Sequence, residues 1–134
     1  MPVTITRGLP NIATIVGQDS DPPPVSGMGK VNRTGQVANI GTTNFTDTRP
    51  TGVYFIRAIL ECTTIGTGTI SFNVQWTDDV GSASLVIVSL VMTATGRSSG
   101  ITSIYSASGN ITYTVTGYVS GTYAVRARCF YGGA

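Results

Sequence analysis

The stretch from residue 69 to residue 76 alternates strictly between apolar and polar side chains, and this pattern constrains the fold more than any other part of the chain. The apolar positions are Ile70, Phe72, Val74 and Trp76, and the polar ones are Thr69, Ser71, Asn73 and Gln75. Successive side chains of a β-strand point to opposite faces, so the pattern predicts a strand with one buried face. The same alternation recurs at residues 111–116 and 123–130.

The composition supports strands throughout the second part of the chain. Thr alone accounts for 21 of the 134 residues, whereas there is one Lys and one Glu. β-Branched residues favour strands, and the glycines that recur between the apolar runs favour turns. We therefore predict an all-β fold, a jelly roll or β-sandwich of about eight antiparallel strands, with an extended N-terminal arm. The inward positions we expect are Ile70, Phe72, Val74, Trp76, Ile111, Tyr113, Val115, Tyr123, Val125 and Ala127.

The prolines divide the chain into two parts. All six lie within the first 50 residues, and proline cannot join the centre of a sheet. We predict a Pro-rich arm over residues 1–34, ending in a polar loop over 26–35, and a β-sandwich domain over 35–134. A second loop is predicted over residues 95–100. The apolar arm residues Val3, Ile5, Ile12 and Ile15 have no place in the eight-strand body. They either bind a neighbouring subunit or fold back as an extra strand.

The residue types exclude most chemistry. The chain has no His and only six carboxylates, so the usual general base and the commonest metal ligand are missing. We predict no enzyme activity, no catalytic residues, no metal or other cofactor and no small-molecule substrate. A net charge of +2, spread along the sequence, does not suggest nucleic-acid binding. No apolar run reaches the ~18 residues of a membrane span.

The two cysteines, Cys62 and Cys129, are predicted to be small buried thiols. If their strands pair antiparallel, the two residues lie at opposite ends of the pair. The separation of their Cα atoms then exceeds the ~7 Å limit for a disulfide.

One outward strand face combines apolar residues with arginines. By alternation, Phe55, Arg57 and Ile59 share a face of one strand, and Arg126, Arg128 and Phe130 share a face of the last. A solvated face is one interpretation. The other is a protein contact surface, because arginine and aromatic side chains are enriched in interfaces. For Trp76 the corresponding alternatives are core packing and a platform for sugar stacking.

The segments over residues 36–130 resemble a small all-β module that is frequent among structural proteins of tailed bacteriophages. The similarity lies in the runs QVANIGTTNFTDT, GVYFIRAILECTT, ISFNVQWTDDVG, TATGRSSG, SGNITYTVTG and TYAVRARC. Such modules resemble jelly rolls that serve as head decoration (cement) proteins, head fibres or tail-fibre tips, commonly as trimers. The resemblance carries no catalytic motif.

The resemblance implies a capsid decoration protein on the exterior of a virion, synthesised in the host cytoplasm. Its expected partners are the major capsid protein and further copies of itself in a homotrimer. The alternative is a carbohydrate-binding or receptor-binding tip of a phage head or tail fibre. The candidate interface residues are Val3, Ile5, Ile12, Ile15, Phe55, Arg57, Ile59, Arg126, Arg128 and Phe130.

Overall fold

A computed structural model describes residues 29–45 and 51–133, and these ranges form eight β-strands. The strands are β1 (Gly29–Gln36), β2 (Ile40–Asn44), β3 (Gly52–Thr64), β4 (Thr69–Thr77), β5 (Ser82–Val91), β6 (Gly96–Ser106), β7 (Ser108–Thr116) and β8 (Thr122–Gly133). Within the same ranges there is no helix long and apolar enough to cross a membrane.

The strands form two four-stranded sheets with the orders β1-β8-β3-β6 and β2-β7-β4-β5. Every neighbouring pair is antiparallel. Successive strands alternate between the sheets for much of the chain, which gives the double-sheet arrangement of an eight-stranded jelly roll. The predicted fold class is confirmed.

The core lies between the two sheets and consists of the inward side chains of both. The predicted inward positions are confirmed: nine of the ten are buried, and Trp76 is partly buried and packs against the core. At the centre, the Phe72 and Tyr113 rings stack with centroids 5.4 Å apart, and Phe45 meets both edge-on. Alternation alone therefore identified the buried face of β4, β7 and β8.

Two predicted loops are strands. Residues 29–34, which the sequence analysis places in the arm, belong to β1, which pairs with β8 from Gly29 to Gln36. Residues 96–100 open β6, which pairs with β3 along Ala58–Cys62. Both are edge strands, and their side chains are mostly polar or absent, so neither has the apolar alternation of a half-buried strand. The rest of the predicted arm, with Val3, Ile5, Ile12 and Ile15, lies outside the described residues.

Two glycines lie where a strand of one sheet touches a segment of the other. A Cβ atom at Gly100 of β6 would collide with the carbonyl oxygen of Ile87 in β5, and one at Gly29 of β1 would collide with that of Phe45. Each glycine thus allows an edge strand of one sheet to touch a segment of the other.

Both cysteines are buried, and neither is part of a disulfide, as predicted. Cys129 lies opposite Ile56 in the β3–β8 ladder, whereas Cys62 lies opposite Tyr123, six positions further along. At roughly 3.4 Å per residue this places the two thiols about 20 Å apart, far beyond disulfide reach.

The close approach at Gly100 gives a stability prediction. Gly100→Ala should destabilise the protein by about 1–3 kcal/mol, because the new methyl group meets backbone that cannot move aside. Gly41→Ala is the matched control, since nothing lies within 4 Å of a Cβ built there. Urea unfolding of both variants measures the difference. Equal free energies of unfolding would contradict the assigned contact between β5 and β6.

Candidate interaction surfaces

The charged side chains of the eight strands all belong to one sheet. Strands β2, β4, β5 and β7 contain no Asp, Glu, Lys or Arg. Strands β1, β3, β6 and β8 carry Lys30, Arg33, Arg57, Arg97, Arg126, Arg128 and Glu61. The sequence analysis expects dispersed charges, so their collection on one sheet is a correction. Linear spacing did not reveal it, because the charges come from four strands that only the topology places side by side.

The outward side of this charged sheet is called here the cationic–aromatic face. By strand parity and register it comprises Lys30, Asn32, Phe55, Arg57, Ile59, Glu61, Arg97, Ser99, Ile101, Arg126, Arg128 and Phe130. The surface therefore carries five cations and one carboxylate.

Three of the cations stand in a row across neighbouring strands. Arg128 of β8 lies opposite Arg57 of β3 on one side and opposite Lys30 of β1 on the other. Directly opposed side chains have Cβ atoms only ~5 Å apart, and like charges in such positions destabilise a sheet. The row therefore costs folding free energy. The adjacent row across the same strands consists of Asn32, Arg126 and Ile59. It contains no carboxylate that would offset the repulsion among the three cations.

The one carboxylate of this face is already paired. Arg126 Nη1 donates to Glu61 Oε1 at 3.1 Å, and both side chains are partly exposed. An exposed pair of this kind contributes little stability, about 0–1 kcal/mol. Between the two rows lies a depression of about 350 Å³, bordered by Lys30, Asn32, Arg57, Ile59, Arg126 and Arg128. A partner at this depression meets cations from three strands.

An aromatic pair lies beside the cation row. Phe55 lies opposite Phe130, and these side chains are 48% and 40% exposed. The Phe55 ring lies over Gly132, where a Cβ atom would collide with it. Ile101, opposite Arg57, is 75% exposed. The surface therefore offers apolar area beside its charges, as protein interfaces do.

The structure brings six of the ten predicted interface residues together on this face: Phe55, Arg57, Ile59, Arg126, Arg128 and Phe130. The other four lie outside the described residues. Sequence reasoning missed Lys30, which it placed in a loop, and Ile101, to which it assigned no strand face. Their pairing with Arg128 and Arg57 depends on long-range register.

The outward side of the other sheet carries a groove with no charged side chain on its strands. It consists of two depressions, of about 390 and 560 Å³, which share Gln75 and Ser84. This neutral groove is lined by Asn73, Gln75, Trp76, Thr77, Ser82, Ala83, Ser84, Leu85, Val86, Asn110, Thr112, Thr114 and Thr116.

Hydrogen bonds fix the amide side chains in the groove. Gln75 Oε1 accepts from Thr112 Oγ1 at 3.1 Å, and Gln75 Nε2 donates to Thr114 Oγ1 at 3.1 Å. Asn73 Nδ2 donates to Thr116 Oγ1 at 3.1 Å, so each amide is held by β7. An amide carries two N–H donors and two acceptor lone pairs, so each keeps hydrogen-bonding capacity toward the groove.

The turn after β4 closes one end of this sheet. Asp78 Oδ1 accepts from the backbone N–H groups of Val80 and Gly81, at 2.8 and 3.0 Å. This carboxylate therefore caps the turn. No group of three or more His, Cys, Asp or Glu side chains is placed to hold a metal ion within residues 29–45 and 51–133.

Tyr123 joins the core to the loop between β1 and β2. It is fully buried, and its hydroxyl donates to the Ala38 carbonyl at 2.6 Å. Burial raises the pKa of Tyr123 from 10.0 to about 12, although the nearby Arg33 charge acts in the opposite direction. The buried phenol thus favours the neutral form.

The raised pKa of Tyr123 predicts how the stability of the protein changes at alkaline pH. Above pH 10 the unfolded tyrosine loses its proton while the folded one keeps it to about pH 12, so stability falls across this window. Tyr123→Phe should reduce that fall. Below pH 10 it should lose about 1 kcal/mol, because the Ala38 carbonyl loses its donor.

Urea unfolding at several pH values from 8 to 12 tests this, with the exposed Tyr105→Phe as the control at pH 8. If the free energy of unfolding of Tyr123→Phe falls above pH 10 as steeply as that of the wild type, the fall is not caused by this phenol.

Comparison with known proteins gives a distant structural likeness. No protein-family profile and no curated protein matches the chain. A carbohydrate-binding module of lichenase 5A from Cellvibrio mixtus, solved in complex with cellotriose, is 14% identical, with a TM-score of 0.35. The likeness covers 76% of this chain and 78% of the module. At this TM-score it carries no argument about function.

Proposed function

We propose that the protein is a structural protein of a bacteriophage virion that decorates the capsid exterior and binds major capsid subunits through its cationic–aromatic face. The observation that carries the attachment is the row Lys30–Arg128–Arg57, in which like charges stand directly opposite each other. The row is unfavourable in the isolated molecule and becomes favourable when an acidic partner covers it. The resemblance of residues 36–130 to phage structural modules supplies the virion context.

The chemistry of the face specifies the partner surface. Carboxylates of the partner would bind over the depression between Arg57, Arg126 and Arg128, since arginine binds carboxylates through two parallel hydrogen bonds. An apolar patch next to them would cover Phe55 and Phe130. Attraction between opposite charges sets orientation and association rate, while the buried aromatic area holds the complex.

A homotrimer remains part of the proposal, with the cationic–aromatic face turned toward the capsid. Three copies of this face around one axis would bring fifteen cations together, so the face is unsuited to joining copies to one another. Burial of Phe55, Ile59 and Phe130 is therefore assigned to the contact with capsid subunits and not to the contact between copies. Three weak contacts made by one trimer act together through high effective concentration. The part of the predicted arm that precedes β1 is a second candidate anchor.

The alternative, a carbohydrate-binding fibre tip, needs a different surface. Sugar recognition uses neutral polar groups that converge beside an aromatic ring, and the cationic–aromatic face lacks neutral convergent groups. The neutral groove has them, on the opposite sheet. Attachment to the capsid and recognition of a glycan therefore do not compete for the same residues.

The proposal predicts opposite effects of one variant on stability and on binding. Arg57→Gln combined with Arg128→Gln removes the like-charge row and should stabilise the isolated protein, by about 0.2–1 kcal/mol for each opposed pair. The same variant should bind capsids at least tenfold more weakly. Urea unfolding measures the first effect, and co-sedimentation with particles lacking the protein measures the second at 50 and 500 mM salt.

Two single-residue variants serve as controls, one removing a cation outside this face and the other removing apolar area within it. Arg33→Gln removes a cation that lies opposite Val125, off this face, and should leave capsid binding unchanged. Phe130→Ser should weaken capsid binding without changing its salt dependence, since it removes apolar area only.

Purified virions provide the test of the virion assignment. A gel should show the protein at a fixed ratio to the major capsid protein, and high salt should release it. Its absence from particles, or binding to double-stranded DNA in place of capsids, would contradict the proposed function.

A further inference from the structure

We propose that the neutral groove is a binding site for a neutral oligosaccharide. The groove lies on the sheet opposite the proposed attachment face, so this inference stands independently of the proposed function. Three properties of the groove specify the ligand class: its lack of charge, its fixed amides and its length.

The lack of charge excludes ionic ligands. The four strands of this sheet contain no charged residue, so an anionic or cationic ligand would lose its hydration without gaining a counter-charge. The lining is also too polar for a purely apolar ligand. What suits it is a neutral molecule dense in groups that both donate and accept hydrogen bonds, and sugar hydroxyls are such groups.

The amides are held in place before any ligand binds. Gln75 is fixed between Thr112 and Thr114, and Asn73 is fixed by Thr116. Because Thr114 Oγ1 and Thr116 Oγ1 accept these bonds, their own O–H groups remain to donate. A ligand therefore meets an array that loses little side-chain freedom on binding.

The shape of the groove favours a chain over a single sugar ring. Its two depressions meet at Gln75 and Ser84, and together they run beside β7 from Asn110 to Thr116. Six residue steps of a strand span roughly 20 Å. This length accommodates several linked rings.

An exposed apolar side chain lies beside the amides of the groove and suits the C–H face of a sugar ring. Val86 lies opposite Asn73 on the outward side of β5, and its side chain is 51% exposed at one depression. Trp76 borders the other depression between Gln75 and Thr77, while its side chain belongs to the inward face of β4 and packs against the core.

The single tryptophan gives a site-specific measurement. Trp76 is the one Trp of the chain and the neighbour of Gln75 in β4, so a change in tryptophan fluorescence reports on the strand that carries the groove amides. Dextran, galactomannan and a mixed-linkage β-glucan are the neutral probes, and alginate is the anionic comparison. We expect at least one neutral polysaccharide to change the emission and to slow the protein in native gels containing it.

Variants on the two sheets locate the site. Gln75→Ala should weaken binding to that polysaccharide at least tenfold, and Thr114→Val, which removes a hydroxyl while keeping the shape, should weaken it several-fold. Ser103→Ala, on the opposite sheet, should bind like the wild type. Urea unfolding verifies that each variant is folded, and Thr114→Val decides the question if Gln75→Ala is unstable.

Several results would overturn the inference. They are no response to any of the three neutral polysaccharides, a response to alginate alone, or wild-type affinity in both groove variants. None of these results bears on capsid binding, which is measured with Arg57→Gln and Arg128→Gln on the other sheet.

Discussion

The register of β3 against β8 determines most of what the molecule presents to its surroundings. Along this central ladder Tyr54, Ile56 and Leu60 point into the core, while the residues between them point outward. A slip of one residue would reverse every side chain, burying the arginines and exposing the core. The same register places Arg57 opposite Arg128. The buried apolar set thus stabilises a pairing whose outward side is electrostatically unfavourable, and the favourable burial offsets that cost.

The sequence predicted those parts of the fold in which one strand face is fully apolar. The alternation at residues 69–76, 111–116 and 123–130 identified β4, β7 and β8 and their buried sides. It failed at β1 and at the start of β6, where residues 29–34 and 96–100 lack apolar alternation. An edge strand has hydrogen-bonded neighbours on one side only, and here its small and polar side chains leave long-range pairing as the main evidence for a strand. Single-sequence periodicity does not report such pairing.

The candidate surfaces were predictable to different degrees for the same reason. Each half of the cationic–aromatic face was visible within one strand, because Arg57 shares its parity with Phe55 and Arg126 shares its parity with Phe130. The groove was not predicted. From the sequence, Asn73 and Gln75 were interpreted as lying on the solvated side of a strand. The threonines that fix them belong to the neighbouring strand β7, which the sequence does not place beside them. Trp76 was predicted to pack inward, and it does so while also lining one end of the groove.

The separation of charge between the two sheets has a consequence for how the molecule moves before it touches anything. All strand charges lie on one side of a two-layer sandwich, so the described body has an electric dipole across its thickness. Near an anionic surface this dipole exerts a torque that turns the charged sheet toward the surface once the separation falls to about a Debye length, ~8 Å at physiological ionic strength. The protein would therefore meet such a surface already oriented. The uncharged sheet, with its row of amides and threonines, is left pointing away into the solvent.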